Sequence, residues 1–529
     1  MSEIIYSNFY DELPVIESML RSSAFVCIDM EFSKLHDDNA VPFTFFDTLE
    51  DRYQKLRLKV SDITCIQLGL SFFIYDVKHK TFDASSYSFY TFPQSYLKYD
   101  NIIKFQTSCV EFLCRHKFDF NKLFHHSIPY LTNTQEIDIQ VLISDDNILD
   151  DHFKNNVFRS VKEELIEQLK SVNEWYDGAK EGDYLLLKKY ECNSPLFTYL
   201  LLHYIKKKHQ NVCLKEEHQY INITKMSFSE KSFQKNDAYY KKKFYTKILG
   251  IKYLLNLLSE LKKPLIGHNC AMDILILCNQ FFKPLPNNLK DYQSFVSNTF
   301  GPIYDTKLMC KEFRRLLPKN VNWDGSSLSE IYLFLKDGDA KIYSDSLFIK
   351  QSTEEFEDLK LHHAGWDAYY TGYCFIKIVY ITKNFSSNTQ NVNRMYTLIE
   401  LFKSVESLKN KVFTSRLMTN CIDLHCHNSI YNQPECLVIK SKGLFSMALN
   451  LNELKNDLNS MCNYDMKLIS KSSVLVATPI LNNRIIKDIQ TKYAVEKYND
   501  YKIRKKRQYI CVGFIILSSL AITMVYHKK

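Results

Sequence analysis

Five side chains in this sequence have the types and spacing to hold metal ions and move a proton: Asp29, Glu31, Asp273, Asp367 and His362. The first two follow the apolar run Phe25–Ile28 in "SSAFVCIDMEFSKL" (22–35). Side chains alternate along a strand, so Asp29 and Glu31 point the same way. Two anions on one face beside a core repel each other and resist desolvation. Either Asp29 caps a turn while Glu31 reaches water, or something positive compensates them. Asp273 lies in "GHNCAMD" and Asp367 in "HHAGWD", each near the expected start of a helix, where an aspartate alone is ordinary. Together the four acids offer hard oxygen donors suited to Mg²⁺ or Mn²⁺. Phosphodiester cleavage by two divalent ions about 4 Å apart requires such a set, and the cations would cancel the repulsion. His362 stands five residues before Asp367, about 140° round a helix. It is therefore expected on the preceding loop, free to take a proton from an attacking water. His363 competes for that role, and the spacing favours His362. His268, in the same turn as Asn269, reads either as a loop or core histidine or as a substrate contact.

The elements that must position these groups are legible locally. The apolar run Phe25–Ile28 within 22–35 reads as a strand finishing on Asp29 and Glu31, 263–282 as a short strand, a turn at Gly267–Asn269 and a helix, and 361–381 as a loop entering a helix. The chain has 529 residues, 46% hydrophobic and 14% aromatic, with only 12 Gly and 12 Pro. That excludes a disordered or low-complexity protein. Its 15 cysteines are scattered without a C-x-x-C pair, as expected of reduced thiols. Cys421, His425, Cys426 and His427 cluster without a second ligand pair at finger spacing and read as structural.

The net charge is +8, but residues 501–529 hold seven Lys or Arg and no acid, so the remainder is almost neutral. Nucleic-acid binding would need a local basic groove. The run "YICVGFIILSSLAITMVY" (509–526) carries no formal charge and has tyrosines at both ends and basic flanks. It predicts a transmembrane helix acting as a tail anchor, with a cytosolic body.

The four acids and the His-x-x-x-x-Asp spacing resemble the DEDDh 3′-to-5′ exonucleases. Longer stretches resemble the poly(A)-specific ribonuclease family: "EIIYSNF", "FDTLEDRYQKLRLKVSDITCIQLGLSFF" (46–73), "FDFNKLFHHSIPYL" (118–131), "GHNCAMD", "PIYDTKLM" (302–309) and "HHAGWDAYYTGYCF". The resemblance implies an α/β, ribonuclease-H-like exonuclease domain split into 1–151 and 246–405, with a mixed, mostly parallel sheet and helices on both faces. It implies that Asp29, Glu31, Asp273 and Asp367 bind two Mg²⁺ (or Mn²⁺) ions and that His362 is the general base. Phe32 matches a position lining the pocket for terminal nucleotides and would stack on a base, unless it is simply core.

Residues 152–245 read as helix, strand ("DYLLLKKYE"), helix and strand ("HQYINITKMSF"), an α+β insert where the family carries a module with an Arg-x-x-x-His motif, which is missing here. Residues 411–498 read as βαββα, resembling a degenerate RNA-recognition-motif (RRM-like) domain without the base-stacking octapeptide. The membrane tail departs from the soluble family type and resembles the branch of pre-piRNA 3′-trimming exonucleases. That branch implies single-stranded RNA 3′ ends as substrate, PIWI proteins and a Tudor/KH adaptor as partners, and a mitochondrial outer or endoplasmic-reticulum membrane; it also admits a homodimer. The expected activity is metal-dependent 3′-to-5′ exoribonuclease action releasing 5′-monophosphates. The rivals are a deadenylase, an inactive membrane-tethered RNA-binding scaffold and a DNA exonuclease with the same site.

Overall fold

The computed structural model describes the chain except residues 36–40, 94–100, 145–158, 189–194, 210, 218–219, 227–236, 319–320, 322–326, 345–347, 352–360, 387–394, 426–435, 443–447, 460–462, 480–482, 509 and 511–529. Two compact units emerge. The first comprises 1–36, 60–285 and 296–409; the second gathers 37–59, 286–295 and 410–529.

The first unit is built on a mixed sheet. Its strands are β1 (Ser2–Ile4), β2 (Phe25–Phe32), β3 (Cys65–Asp76), β4 (Thr81–Tyr90), β8 (Leu265–Gly267), β9 (Ile303–Asp305) and β10 (Ile349–Gln351). They run in the order β1-β4-β3-β2-β8-β9, with β10 also pairing β4. The long ladders, β2–β3 and β3–β4, are antiparallel. Parallel pairing is confined to the short strands β1, β8, β9 and β10. The expectation of a mixed sheet therefore holds, while "mostly parallel" describes only the short pairings.

Helices cover both faces. On one, helix Tyr6–Ser22 buries Phe9, Leu13, Ile16 and Leu20, an amphipathic stripe at helical spacing. The Phe9 ring meets Phe89 of β4 edge-on at 6.3 Å. On the other face lies helix Ala364–Ser386, buried along almost its whole length. Small residues let this helix approach the sheet. A Cβ on Gly372 would stand 2.1 Å from the Phe73 ring and 2.7 Å from Cys27 Sγ. Its apolar core includes Phe25, Cys27, Phe73, Tyr304 and Phe375.

Within the first unit the insert has its own antiparallel sheet, β5 (Tyr184–Lys188), β7 (Tyr220–Lys225) and β6 (Val212–Glu216), packed with helices Arg159–Gly178 and Pro195–Lys208 around a separate core. Strand β6 has no counterpart in the sequence reading.

The second unit contains the hairpin β11 (Lys411–Phe413)–β12 (Cys421–Asp423) and a four-stranded antiparallel sheet. The strands are β13 (Cys436–Ser441), β14 (Asp465–Ser470), β15 (Ser473–Ala477) and β16 (Tyr493–Lys497), ordered β14-β15-β13-β16. With helices Leu451–Leu458 and Asn483–Lys492 the order is βαββαβ, one strand more than the sequence reading. One sheet face buries Ile439, Val474 and Val476 against Leu454, Leu458 and Ile489 of the helices. The other buries Val438, Leu475 and Ala477 beneath Phe45 and Tyr501.

Segment 37–59, placed by its motif in the first domain, belongs to this second unit. The fully buried Arg52 fastens it there. Its guanidinium donates to Asp47 Oδ2 (3.1 Å), Thr414 Oγ1 (2.8 Å) and the Arg416 carbonyl (2.6 Å). The Cys/His cluster falls partly outside the described residues (Cys426 and His427), and the described cysteines are free thiols. Among the described residues no helix is long and apolar enough to cross a membrane. The expected span 509–526 lies outside them apart from Ile510.

Candidate active site

The site forms where β2 and β8 run out, at the carboxyl ends of parallel neighbours. Asp29 and Glu31 project from β2 on the face covered by helix Ala364–Ser386. Their cross-strand partners on β3 are Gly69 and Gln67, and those of the latter on β4 are Ser88 and Tyr90. These two rows receive the helix start. A Cβ on Gly69 would lie 1.9 Å from the Ala364 carbonyl oxygen, so only glycine admits the helix there. The Ala364 N–H donates to Gln67 Oε1 (3.0 Å), and the Gly365 N–H donates to Ser88 Oγ (2.9 Å). The amides of Trp366 and Asp367 donate to the His363 carbonyl (2.8 and 3.0 Å). Four amides at a helix start thus find partners, and Asp367 is set over β2.

Asp29, Glu31 and Asp367 can bring carboxylate oxygens within 4.8 Å of one another. Asp273 sits in the first turn of helix Ala271–Leu277, outside that triplet but close enough for its charge to act on Asp29 and Glu31. Asp305 sets the turn leading into this helix. Buried, it accepts from the backbone N–H groups of Asn269 (2.9 Å), Cys270 (3.1 Å) and Lys307 (2.9 Å), capping the next helix as well. Asn269 takes a left-handed φ of 57° in that turn.

Electrostatics follow from burial and crowding. Asp29 is held well above the carboxylate range by desolvation and by Asp367, Asp273 and Glu31. Glu31 rises to about 8, first through desolvation and then through Asp367 and Asp273. Asp273 and Asp367 each rise to about 7, mainly through desolvation. Such a set is unfavourable as bare anions and favourable around divalent cations, so the donor chemistry fits Mg²⁺ or Mn²⁺.

The two histidines separate clearly. His363 is tied to structure: Nδ1 lies 3.0 Å from Ser88 Oγ and Nε2 3.2 Å from Glu3 Oε1. Lys122 also pairs with Glu3, and together these contacts hold the Glu3 carboxyl at about 2. His362 is exposed with a left-handed φ of 59°, and its backbone N–H donates to Asp367 Oδ2 at 2.9 Å. Its ring packs edge-on against His116 (4.2 Å) and Phe112 (4.7 Å). Partial desolvation of the ring against these neighbours, and then the charge of His116, lower its pKa, so the neutral, proton-accepting form is favoured.

The remaining candidates are placed too. Phe32 follows a register shift after Glu31, a bulge that re-aims the strand end and leaves this ring partly exposed. Gln280, in a π-helical turn, bonds both the N–H (2.8 Å) and the carbonyl (3.3 Å) of Cys65 beside the bulge. His268 is engaged with Thr306 Oγ1 (2.9 Å) and pushed down to about 3 by burial, a neutral ring that braces the 267–270 turn. Sequence reasoning missed Gln67, Gly69, Ser88 and Asp305. The visible signals were a glycine inside the strand "IQLGL" and the aspartate within "PIYDTKLM".

The profile of the CAF1 family ribonucleases matches residues 4–375. The chain belongs to that family, and it is a 3′-to-5′ exoribonuclease. It is 27% identical to the pre-piRNA 3′-exonuclease trimmer of Bombyx mori over 538 residues, covering 100% of this chain and 99% of the relative. It is 28% identical to the poly(A)-specific ribonuclease PARN of Bos taurus (79% of this chain, 67% of the relative). Against the poly(A)-specific ribonuclease PNLDC1 of Mus musculus the identity is 27% (71% and 70%).

Proposed function

We propose that this protein trims the 3′ ends of pre-piRNAs at an intracellular membrane, releasing 5′-monophosphates. The observation that carries the chemistry is the convergence of Asp29, Glu31 and Asp367, with Asp273 beside them. In this reading the four carboxylates hold two Mg²⁺ or Mn²⁺ ions, which when bound supply Lewis-acid stabilisation of the attacked phosphate. Asp367 accepts the His362 N–H and so orients the loop that presents the imidazole. His362 takes the proton of the attacking water, and its lowered pKa keeps it competent at neutral pH. Phe32 stacks on a terminal base, and Glu31 approaches the terminal ribose. His363 stays with Ser88 and Glu3 and takes no part in proton transfer.

The substrate assignment is supported by similarity to the Bombyx mori trimmer along the full length of both chains, and by the charge-free run 509–526, which we read as a membrane span. A mitochondrial outer or endoplasmic-reticulum location and recruitment through a PIWI protein and a Tudor/KH adaptor rest on that resemblance alone. The second unit is read as an RRM-like scaffold. Its βαββαβ order supports the likeness, and Phe45 and Tyr501 cover the sheet face on which such domains stack bases. A second reading is favoured by the two poly(A)-specific relatives: deadenylation by the same site. Competition between RNAs of equal length, one ending in poly(A) and one in mixed sequence, tests the choice. Clear preference for poly(A) would replace the first reading by the second.

A further inference from the structure

Helical residues 498–508 follow β16 and directly precede the charge-free run in the sequence. Its residues split into stripes. Tyr501 is buried in the sheet face, with the Lys440 ammonium 4.5 Å above its ring. Glu496, at the end of β16, pairs with Lys440 (2.5 Å) and Arg504 (2.6 Å), so the helix is fastened to the second unit. Asp500 shares a side with Arg504 and Arg507 at i+4 and i+7 spacing. A different stripe carries Lys502, Lys505 and Lys506, all exposed. A shallow groove of about 530 Å³ opens there, lined by Tyr498, Tyr501, Lys502, Lys505, Lys506 and Ile510. The Lys502 ammonium rests 4.4 Å above the Tyr498 ring, which holds the cation outward beside an amphipathic ring.

We propose that this lysine–tyrosine groove docks on anionic phospholipid headgroups, so that the second unit lies against the membrane instead of hanging from a flexible tether. The inference rests on the reading of 509–526 as a span. Charge complementarity and continuity choose the occupant. Lysines within a Debye length of an anionic leaflet gain attraction additively. Tyrosine belongs at the headgroup level, where its apolar ring and hydroxyl meet different media. Single-stranded RNA would want open aromatic faces for stacking. Here Tyr501 is buried and Lys502 caps Tyr498, so lipid is favoured over RNA.

The test uses the full chain in nanodiscs of phosphatidylcholine alone or of phosphatidylcholine with phosphatidylserine, reading amide hydrogen exchange across 498–508. The expected result is exchange slowed about tenfold on the anionic discs only, with the difference lost in a K502Q/K505Q/K506Q variant. Equal exchange on both compositions, with the chain incorporated, overturns the docking and leaves the span standing. Recovery of the chain outside both kinds of disc overturns the span and the docking together. Equal protection on neutral discs by added non-cleavable RNA would make the groove a nucleic-acid site and overturn the lipid assignment.

Discussion

Gly69 and Ala364 touch through backbone alone: a Cβ on Gly69 would lie 1.9 Å from the Ala364 carbonyl oxygen and 2.6 Å from the next amide. Gly69 is also the cross-strand partner of Asp29. One missing methyl group therefore sets how closely the helix carrying Asp367 descends onto the strand carrying Asp29. Gly69→Ala should push the helix outward, costing about 1–3 kcal/mol of stability. Misplacement of about 1 Å costs on the order of a hundredfold in rate. Thermal melts and single-turnover rates check both; a variant with near-normal turnover would show that the helix can descend without the glycine.

The histidines should respond differently to truncation. His362→Ala removes an exposed ring and should lower kcat by about 10²–10⁴-fold with little change in Tm. His363→Ala removes the link between Ser88 and Glu3 and should chiefly lower Tm. If instead His363→Ala retains its Tm and loses more turnover, the proton acceptor has been misassigned.

Without metal the acidic cluster should make stability run backwards with pH. Glu31 at about 8, and Asp273 and Asp367 at about 7, lie above their ordinary values of 4.5 and 3.8. The folded chain therefore binds protons that the unfolded chain does not. These groups destabilise the fold above their folded values and release that strain as the pH falls toward their ordinary ones. In EDTA, Tm should rise as the pH drops from about 8 to about 5. Saturating Mg²⁺ should flatten this slope, and Asp29→Asn should raise the metal-free Tm while abolishing cleavage. A metal-free Tm that falls over the same interval would remove the electrostatic argument for the ion site.

Arg52 is a stability residue remote in sequence from what it holds. Arg52→Met leaves Asp47 with Lys55 (2.7 Å) as its remaining cation but strips the Thr414 and Arg416 contacts, and should cost about 1–3 kcal/mol. Limited proteolysis should then cut within the second unit; an unchanged melt and digest would contradict the contacts described.

If the terminal ribose approaches Glu31 as proposed, a 2′-O-methyl group on it removes a donor and adds bulk there. A loss of about 2 kcal/mol slows trimming roughly thirtyfold. Paired time courses on RNAs differing only in that methyl should separate by this factor, and equal rates would dismiss the ribose contact.

The acidic cluster was legible because its signals are short in range. Asp29 and Glu31 share a strand face by alternation, and Asp273 and Asp367 announce helix starts. What failed to show were contacts that need the folded chain. The stretch around Arg52 reads by motif as part of the nuclease domain, yet the Arg52 guanidinium reaches Thr414, 362 residues away. Strands β6 and β16 are short and rich in charge (VCLKE and YAVEK), so alternation is weak in both. Gly69 and Gln67 look like unremarked strand residues until a helix arrives above them.

The second unit draws on residues near the beginning and near the end of the chain. The Phe45 amide meets Asp465 Oδ2 at 2.7 Å across 420 residues. During synthesis at about 5–20 residues per second, segment 37–59 therefore waits roughly 20–80 s for its partner. Phe45 lacks Asp465 throughout that interval, the Arg52 guanidinium has Asp47 but lacks Thr414 and Arg416 for most of it, and Tyr501 is made later still. A nascent chain in this condition is a natural client for holdase chaperones. Ribosome-stalled chains ending before residue 465 should be protease-sensitive across 37–59 even where the strands of the first unit are protected.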